Sequence, residues 1–271
     1  KLGQLSGCDD YHLFLINSGA EAIENALKVA SFHNGRKKII AFKGAFHGRT
    51  SAAVAVTDNP KIKAPINDDS NVIFLALNDV HALTNAFNEH EICAVVVESI
   101  QGINGIYEAN ASFLQQIQAL CHQHNALFIA DEIQCGYGRS GKFFAFQHHG
   151  IKPDIITLAK GMGNGFPIGG ILIAPKFKAS HGLLGTTFGG SHLACAAGIA
   201  VLEVIESQKL IDNVNDVYAY FLETIKQVPE VIKVKGKGLM LGVEFDFEIG
   251  ALRKKLIVEK LIFTGSANNK N

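Results

Sequence analysis

Two charged residues, each set at the end of an apolar run, mark the first chemistry in this chain. The segment Pro153-Asp154-Ile155-Ile156-Thr157-Leu158-Ala159-Lys160-Gly161 delivers a strand-like stretch straight into Lys160 and a glycine. Upstream, Ala126-Leu127-Phe128-Ile129-Ala130-Asp131-Glu132 closes in the same way on Asp131. Either residue alone reads as an ordinary charge where a strand meets water. As a pair they can do more. An amine closes a Schiff base on an aldehyde, and a carboxylate keeps a pyridine nitrogen protonated so that the ring accepts electrons. Pyridoxal phosphate needs that pairing.

Other segments supply what such a cofactor would need. Asn17-Ser18-Gly19-Ala20-Glu21-Ala22 turns through Ser-Gly into an amphipathic pattern. A helix start there offers unpaired N–H groups, the Ser18 hydroxyl and close backbone approach at Gly19 to a phosphate. A plain serine N-cap fits the same residues equally well. Phe42-Lys43-Gly44-Ala45-Phe46-His47-Gly48-Arg49-Thr50 brackets an aromatic, an imidazole and a guanidinium with glycines. Phe46 could stack on a flat ring and Arg49 could grip a carboxylate, or they could be a core aromatic and a structural cation. Ala94-Val95-Val96-Val97-Glu98 ends a strand on a carboxylate, at the ligand-binding edge of an open α/β sheet. Gly185-Thr186-Thr187-Phe188-Gly189-Gly190 offers paired hydroxyls, as a turn or a second phosphate clamp. No GxGxxG directly follows a strand, and GxxxxGK[ST] does not occur, so dinucleotide and P-loop readings lack their fingerprints. The glycines of Gly161-Met162-Gly163-Asn164-Gly165 follow the lysine and shape the turn around it.

These residues must be positioned by elements whose periodicity alternates. Residues 20–33 have the spacing of a helix, with Ala22, Ile23, Ala26, Leu27 and Ala30 on one face. Strands are expected at 38–42, 71–75, 93–98, 127–131, 155–158 and 170–174, and helices at 80–89, 112–124 and 192–207. Several strands are continuous Val/Ile/Leu runs, as when helices cover both faces of a mainly parallel sheet. The expectation is an α/β fold with a large domain over residues 1–206. Helical patterns at 212–227 and 248–261 then flank strand-like 231–234 and 239–245, the start of a smaller α+β domain over 207–271. Both ends read as internal to a longer polypeptide.

Composition narrows the classes. With 271 residues, 48% of them hydrophobic, the chain can bury a large core. Its 25 basic and 25 acidic residues balance without a long run of either sign, so nothing suggests a nucleic-acid footprint. No stretch reads as a membrane span or signal peptide. Five scattered cysteines fit reduced thiols and a cytoplasmic location. His122, His124, His148 and His149 lack partners at ligand spacing, so no metal site is expected. Asn110-Ala111-Ser112 matches a glycosylation sequon but reads as a helix start.

In order, these segments resemble the class-III aminotransferases, pyridoxal-phosphate enzymes of fold type I, and most closely the acetylornithine type. Besides the motifs above, Asp131-Glu132-Ile133-Gln134 and Gly136-Tyr137-Gly138-Arg139-Ser140-Gly141 carry the likeness, which spans nearly the whole chain. The resemblance implies roles. Lys160 would form the Schiff base and Asp131 would face the ring nitrogen. Gln134 would face the phenolic oxygen, Phe46 would stack on the ring, and Glu98 would also border the cofactor. Ser18, Gly19 and Ala20 would hold the phosphate. Thr187, with Thr186, would reach the phosphate of a second subunit in a homodimer with shared sites. Arg49 would bind a substrate carboxylate, with His47 beside it. His47 after Phe46 favours acetylornithine-type members over ornithine δ-aminotransferases. Gly236-Lys237-Gly238-Leu239-Met240 resembles the family's lead-in to its small domain.

Two departures stand out. Glu98-Ser99-Ile100-Gln101-Gly102-Ile103-Asn104 puts Ile103 where the family carries a second glutamate, which suits an acylated side chain better than a free amine. Ser191-His192 replaces the family's Asn-Pro. The implied activity is transfer of the terminal amine of N-acetylornithine or N-succinylornithine to 2-oxoglutarate in arginine biosynthesis. The rivals are ornithine or 4-aminobutyrate transfer or a glutamate-semialdehyde aminomutase on the same fold, a nicotinamide-dependent dehydrogenase, and a non-catalytic relative.

Overall fold

A computed structural model describes residues 1–178, 180–265 and 267. Seven strands form the central sheet: β1 (His12–Ile16), β2 (Lys38–Phe42), β3 (Val72–Leu75), β4 (Ile92–Val97), β7 (Leu127–Asp131), β8 (Ile155–Leu158) and β9 (Gly169–Ile173), in the order β1-β9-β8-β7-β4-β2-β3. β5 (Ile100–Gln101) and β6 (Tyr107–Glu108) make a short antiparallel pair beside it. The ladders joining β3, β2, β4, β7 and β8 are parallel, whereas β9 pairs antiparallel with both β8 and β1, so that β1 runs in the sense of the parallel set.

The sequence patterns account for this order. All six residues of β4 are buried, as expected of an unbroken apolar strand at the sheet's centre. The edge strands β1 and β3 are largely half-buried. The helix α2 (Gly19–Asn34) lays its stripe of Ala22, Ile23, Ala26, Leu27 and Ala30 on the sheet. The helix α5 (Ala111–His124) packs on β4 and β7 with Phe113, Leu114 and Ile117. Asn110 caps α5 by accepting from the Phe113 N–H at 2.8 Å, so the sequon residue does serve as a helix start.

Around this frame lie α1 (Leu2–Ser6), α3 (Ser51–Ala55), α4 (Val80–Glu89) and α6 (His192–Ser207). Beyond α6 come α7 (Leu210–Ile225), the hairpin β10 (Val231–Lys237) and β11 (Met240–Phe245), and α8 (Gly250–Lys260). The hairpin docks through Met240, buried with Ile100, Cys135 and Ala145, and through Gly236 N–H, which donates to Glu108 at 2.9 Å. Three features escaped the periodicity argument. α3 spans only five residues, too few to show a helical period. The antiparallel sense of β9 depends on a connection across glycine-rich residues 161–167. The first two residues of β1 give no strand signal, although 14–16 read as strand or loop before the turn into α2.

Candidate active site

The parallel strands present their carboxyl ends to one edge, where ligands bind in open α/β sheets. β7 ends on Asp131, β8 leads through Ala159 into Lys160, β4 leads into Glu98, and β2 leads into the loop carrying Phe46 and His47. The antiparallel pair completes the edge. Ile16, the last residue of β1, stands opposite Gly169, and Leu158 stands opposite Gly170. The start of α2 therefore arrives beside Lys160. A cavity of about 360 Å³ opens there, lined by Ser18, Gly19, Ala20, Phe46, His47, Glu98, Asp131, Gln134 and Lys160.

Asp131 is 3% exposed and held from three directions. Its Oδ1 accepts from the Ile133 N–H at 3.0 Å and the Thr157 hydroxyl at 3.2 Å. Its Oδ2 lies 2.7 Å from His47 Nδ1. The Thr157 bond follows from register, since Thr157 is the β8 partner of Asp131. Glu98, 4% exposed, accepts from the N–H of Phe46 at 3.0 Å and of Gly102 at 3.4 Å. Burial pushes its carboxyl well above the usual range, and the Asp131 charge adds to this while His47 opposes it. Gly102 leaves the space that the Gln134 side chain fills, since a Cβ there would collide with the amide. Gly48, at φ +140°, brings its loop so close to α2 and α3 that a Cβ would meet those of Ala20 and Ala53 at 3.0 Å.

At α2 the two readings of Ser18 merge. Its hydroxyl accepts from the Glu21 N–H at 3.2 Å as an N-cap, while the N–H groups of Gly19 and Ala20 have no protein partner among the described residues. Lys160 is exposed and its side chain makes no hydrogen bond or ion pair among the described residues, although its carbonyl accepts from the Gly163 N–H at 3.3 Å. It sits at φ +43°, a left-handed conformation that costs a non-glycine residue about 1–2 kcal/mol. Strain of this kind collects where a side chain must be aimed.

The donor set fits pyridoxal phosphate. Gly19 and Ala20 N–H groups suit a phosphate, Asp131 keeps an acceptor position for a ring N–H, and Lys160 offers a free amine to an aldehyde. Not every expected residue joins them. Arg49 is exposed, outside the cavity lining, and without an ion pair among the described residues. Thr186 accepts from Asn17 Nδ2 at 3.3 Å and from the Gly189 N–H at 3.2 Å, and Thr187 is exposed; neither lines the cavity of its own chain. Ile103 is 41% exposed and likewise outside. His47, expected beside Arg49 at the substrate, is instead 2% exposed and bonded to Asp131. Ile133 and residues 165–168 line the cavity unannounced. Their only sequence signal is adjacency to Gln134 and to the glycines after Lys160.

Comparison with known proteins agrees with this geometry. The family model for aminotransferase class-III matches residues 1–264. An acetylornithine aminotransferase of Caldanaerobacter subterraneus is 41% identical over 92% of this chain and 68% of its own length. The enzyme of that name from Archaeoglobus fulgidus is 42% identical over 92% of this chain and 65% of its own. The chain thus spans about two thirds of these relatives. Among solved structures, an ornithine aminotransferase from Toxoplasma gondii superposes with a TM-score of 0.90 at 29% identity, over 99% of this chain and 68% of that one. A second structure of that enzyme, crystallised in the presence of oxidised glutathione, shows partial occupancy of PLP at its active site. A lysine and an aspartate on adjacent strand ends, a helix start facing them and this family match together place the chain among the class-III aminotransferases, the pyridoxal-phosphate-dependent transaminases.

Proposed function

We propose that the protein transfers the terminal amine of an N-acylornithine, N-acetylornithine or N-succinylornithine, to 2-oxoglutarate, giving the N-acyl-glutamate semialdehyde and glutamate in arginine biosynthesis. The observation that carries this reading is the meeting of Lys160, Asp131 and the α2 start on one cavity. The acyl-substrate preference is supported by relatives of about 40% identity that bear the acetylornithine name. A relative from Yersinia pestis, 41% identical, is named for both acetylornithine and succinyldiaminopimelate. The 29% identity to an ornithine aminotransferase makes the free diamine the runner-up.

Bound pyridoxal phosphate supplies an aldehyde to capture the amine and a ring to take up the electron pair released when a proton leaves carbon. The chain's residues do the rest. Gly19 and Ala20 N–H groups with the Ser18 cap would hold the phosphate, Asp131 would accept from the ring nitrogen's N–H, and Phe46 and Gln134 would help hold the ring. Glu98 keeps Phe46 in place by accepting its N–H. Lys160 Nζ would hold the aldehyde while no substrate amine is bound, and once free it would act as the base that accepts and gives back the proton of the amine-bearing carbon. Arg49 grips a substrate carboxylate bidentately. Thr186 and Thr187, both exposed, serve the phosphate of a second copy, so the working unit is a homodimer; the free cysteines support a cytoplasmic setting.

Half-reactions followed by absorbance test this assignment. N-acetylornithine or N-succinylornithine should bleach the visible band of the cofactor-loaded protein, while free ornithine and 4-aminobutyrate should not. Bleaching by free ornithine alone would keep the chemistry and overturn the substrate. Lys160→Ala should abolish turnover yet retain noncovalently bound cofactor, and full activity in that variant would refute the role of Lys160.

A further inference from the structure

Asn104 lies outside the cavity lining, yet it is built into the loop that carries Phe46. The chain turns sharply after β2. The Ala45 N–H donates to the Phe42 carbonyl at 3.1 Å, and the N–H of Gly44, at φ +76°, donates to Asp58 Oδ2 at 2.8 Å. Phe46 follows at once and lines the cavity. Gln101, 1% exposed, holds this turn from the neighbouring loop by donating from Nε2 to the Lys43 carbonyl at 3.0 Å. A carbonyl can only accept, so Gln101 Oε1 points the other way. There Asn104 Nδ2 donates to it at 2.9 Å. Gly44 makes room for that donor, since a Cβ on it would overlap the Asn104 amide. The fit is reciprocal.

Glu98 holds the far end of the same stretch by accepting from the Phe46 N–H at 3.0 Å. Its near end is held by the chain of amides from Asn104 through Gln101 to Lys43. We propose, on the cofactor reading above, that Asn104 is a positioning residue: through the Gln101 amide, and by covering Gly44, it fixes the turn that sets Phe46 against the ring of pyridoxal phosphate. It touches neither cofactor nor substrate. Without the Asn104 N–H, the buried Gln101 Oε1 loses its donor, and the cost of an unmet acceptor favours rotation of the amide away from Lys43. The turn then loosens beside Phe46, while the bonds of Asp131 stay in place.

The test is a double-mutant cycle on the chain loaded with pyridoxal phosphate, with Asn104→Asp made in the parent and in Phe46→Ala. Aspartate keeps the shape of asparagine but turns an acceptor on Gln101 Oε1. In the parent, Asn104→Asp should weaken cofactor binding roughly threefold to tenfold, as for loss of one hydrogen bond. The circular dichroism induced in the visible band should fall with it, because the ring loses a fixed asymmetric contact. In the Phe46→Ala background the same substitution should change affinity by less than about twofold. KM for the amine donor should stay within about twofold, as for a group that makes no ground-state contact with substrate. Unchanged affinity and dichroism in the parent background would overturn the proposal. So would equal losses in the two backgrounds, which would make Asn104 a general support of the fold. If Asn104→Asp does not fold, Asn104→Ala, which removes the donor without adding a charge, must show the same dependence on Phe46. A parent chain that forms no visible band would overturn the cofactor reading itself, whereas a normal parent band with silent Asn104 variants would overturn this role alone.

Discussion

Buried carboxylates behind the cavity give the protein a pH signature. Glu132 is 1% exposed and accepts from the N–H groups of Ala145 at 2.8 Å and Phe146 at 2.9 Å, and from the Cys135 thiol at 3.3 Å. Burial, only partly offset by these donors, pushes its pKa up from 4.5 to about 7. The folded state therefore binds this proton more tightly than the unfolded chain does. The corresponding stability is fully present below pH 4.5 and is lost as pH rises through about 7. Glu98 acts in the same direction. Glu132→Gln should flatten the fall in stability between these pH values without removing it, as measured by urea denaturation at several pH values. An unaltered slope would mean that Glu132 does not carry that proton. Lys160 belongs to this scale too: its residue type was legible from the strand that ends on it, whereas its left-handed backbone was not.

At the scale of elements, the start of α2 serves folding and ligand binding with the same atoms. Ser18→Ala removes the cap on the Glu21 N–H and should cost about 1 kcal/mol of stability. It should also weaken cofactor binding, and thermal melts with and without pyridoxal phosphate separate the two effects. Loss of stability without loss of cofactor affinity would leave Ser18 as a cap alone. Gly48→Ala tests how the loop after β2 is seated. The variant must hold φ +140° and push its Cβ against Ala20 and Ala53, which should cost about 1–3 kcal/mol. Because Phe46 and His47 ride on that loop, cofactor affinity should fall as well, by equilibrium titration.

At the scale of the molecule, the face around the 186–190 loop is unfinished. Phe188 and Leu193 are each 73% exposed, next to Thr187, which lies outside the lining of the cavity. Exposed apolar clusters of this kind mark contact surfaces. Phe188→Glu should shift the protein towards monomer in sedimentation and weaken cofactor binding in the same preparation. An unchanged mass would remove this face from the subunit contact. Local signals were enough to read the helices, the buried parallel strands and the residues that end them, because a strand or helix is written in its own periodicity. Lys160, Asp131, Glu98, Phe46 and the Ser18-Gly19-Ala20 turn were legible for that reason. The sequence could not say that β9 runs against its neighbours, so that β1 ends beside Lys160 and α2 starts there, because strand sense depends on which distant strands pair. Nor could it place His47 on Asp131 and leave Arg49 and Thr187 facing outward. Those positions follow from the packing of four separate loops along one sheet edge, and only the tertiary structure decides which side chains that packing buries.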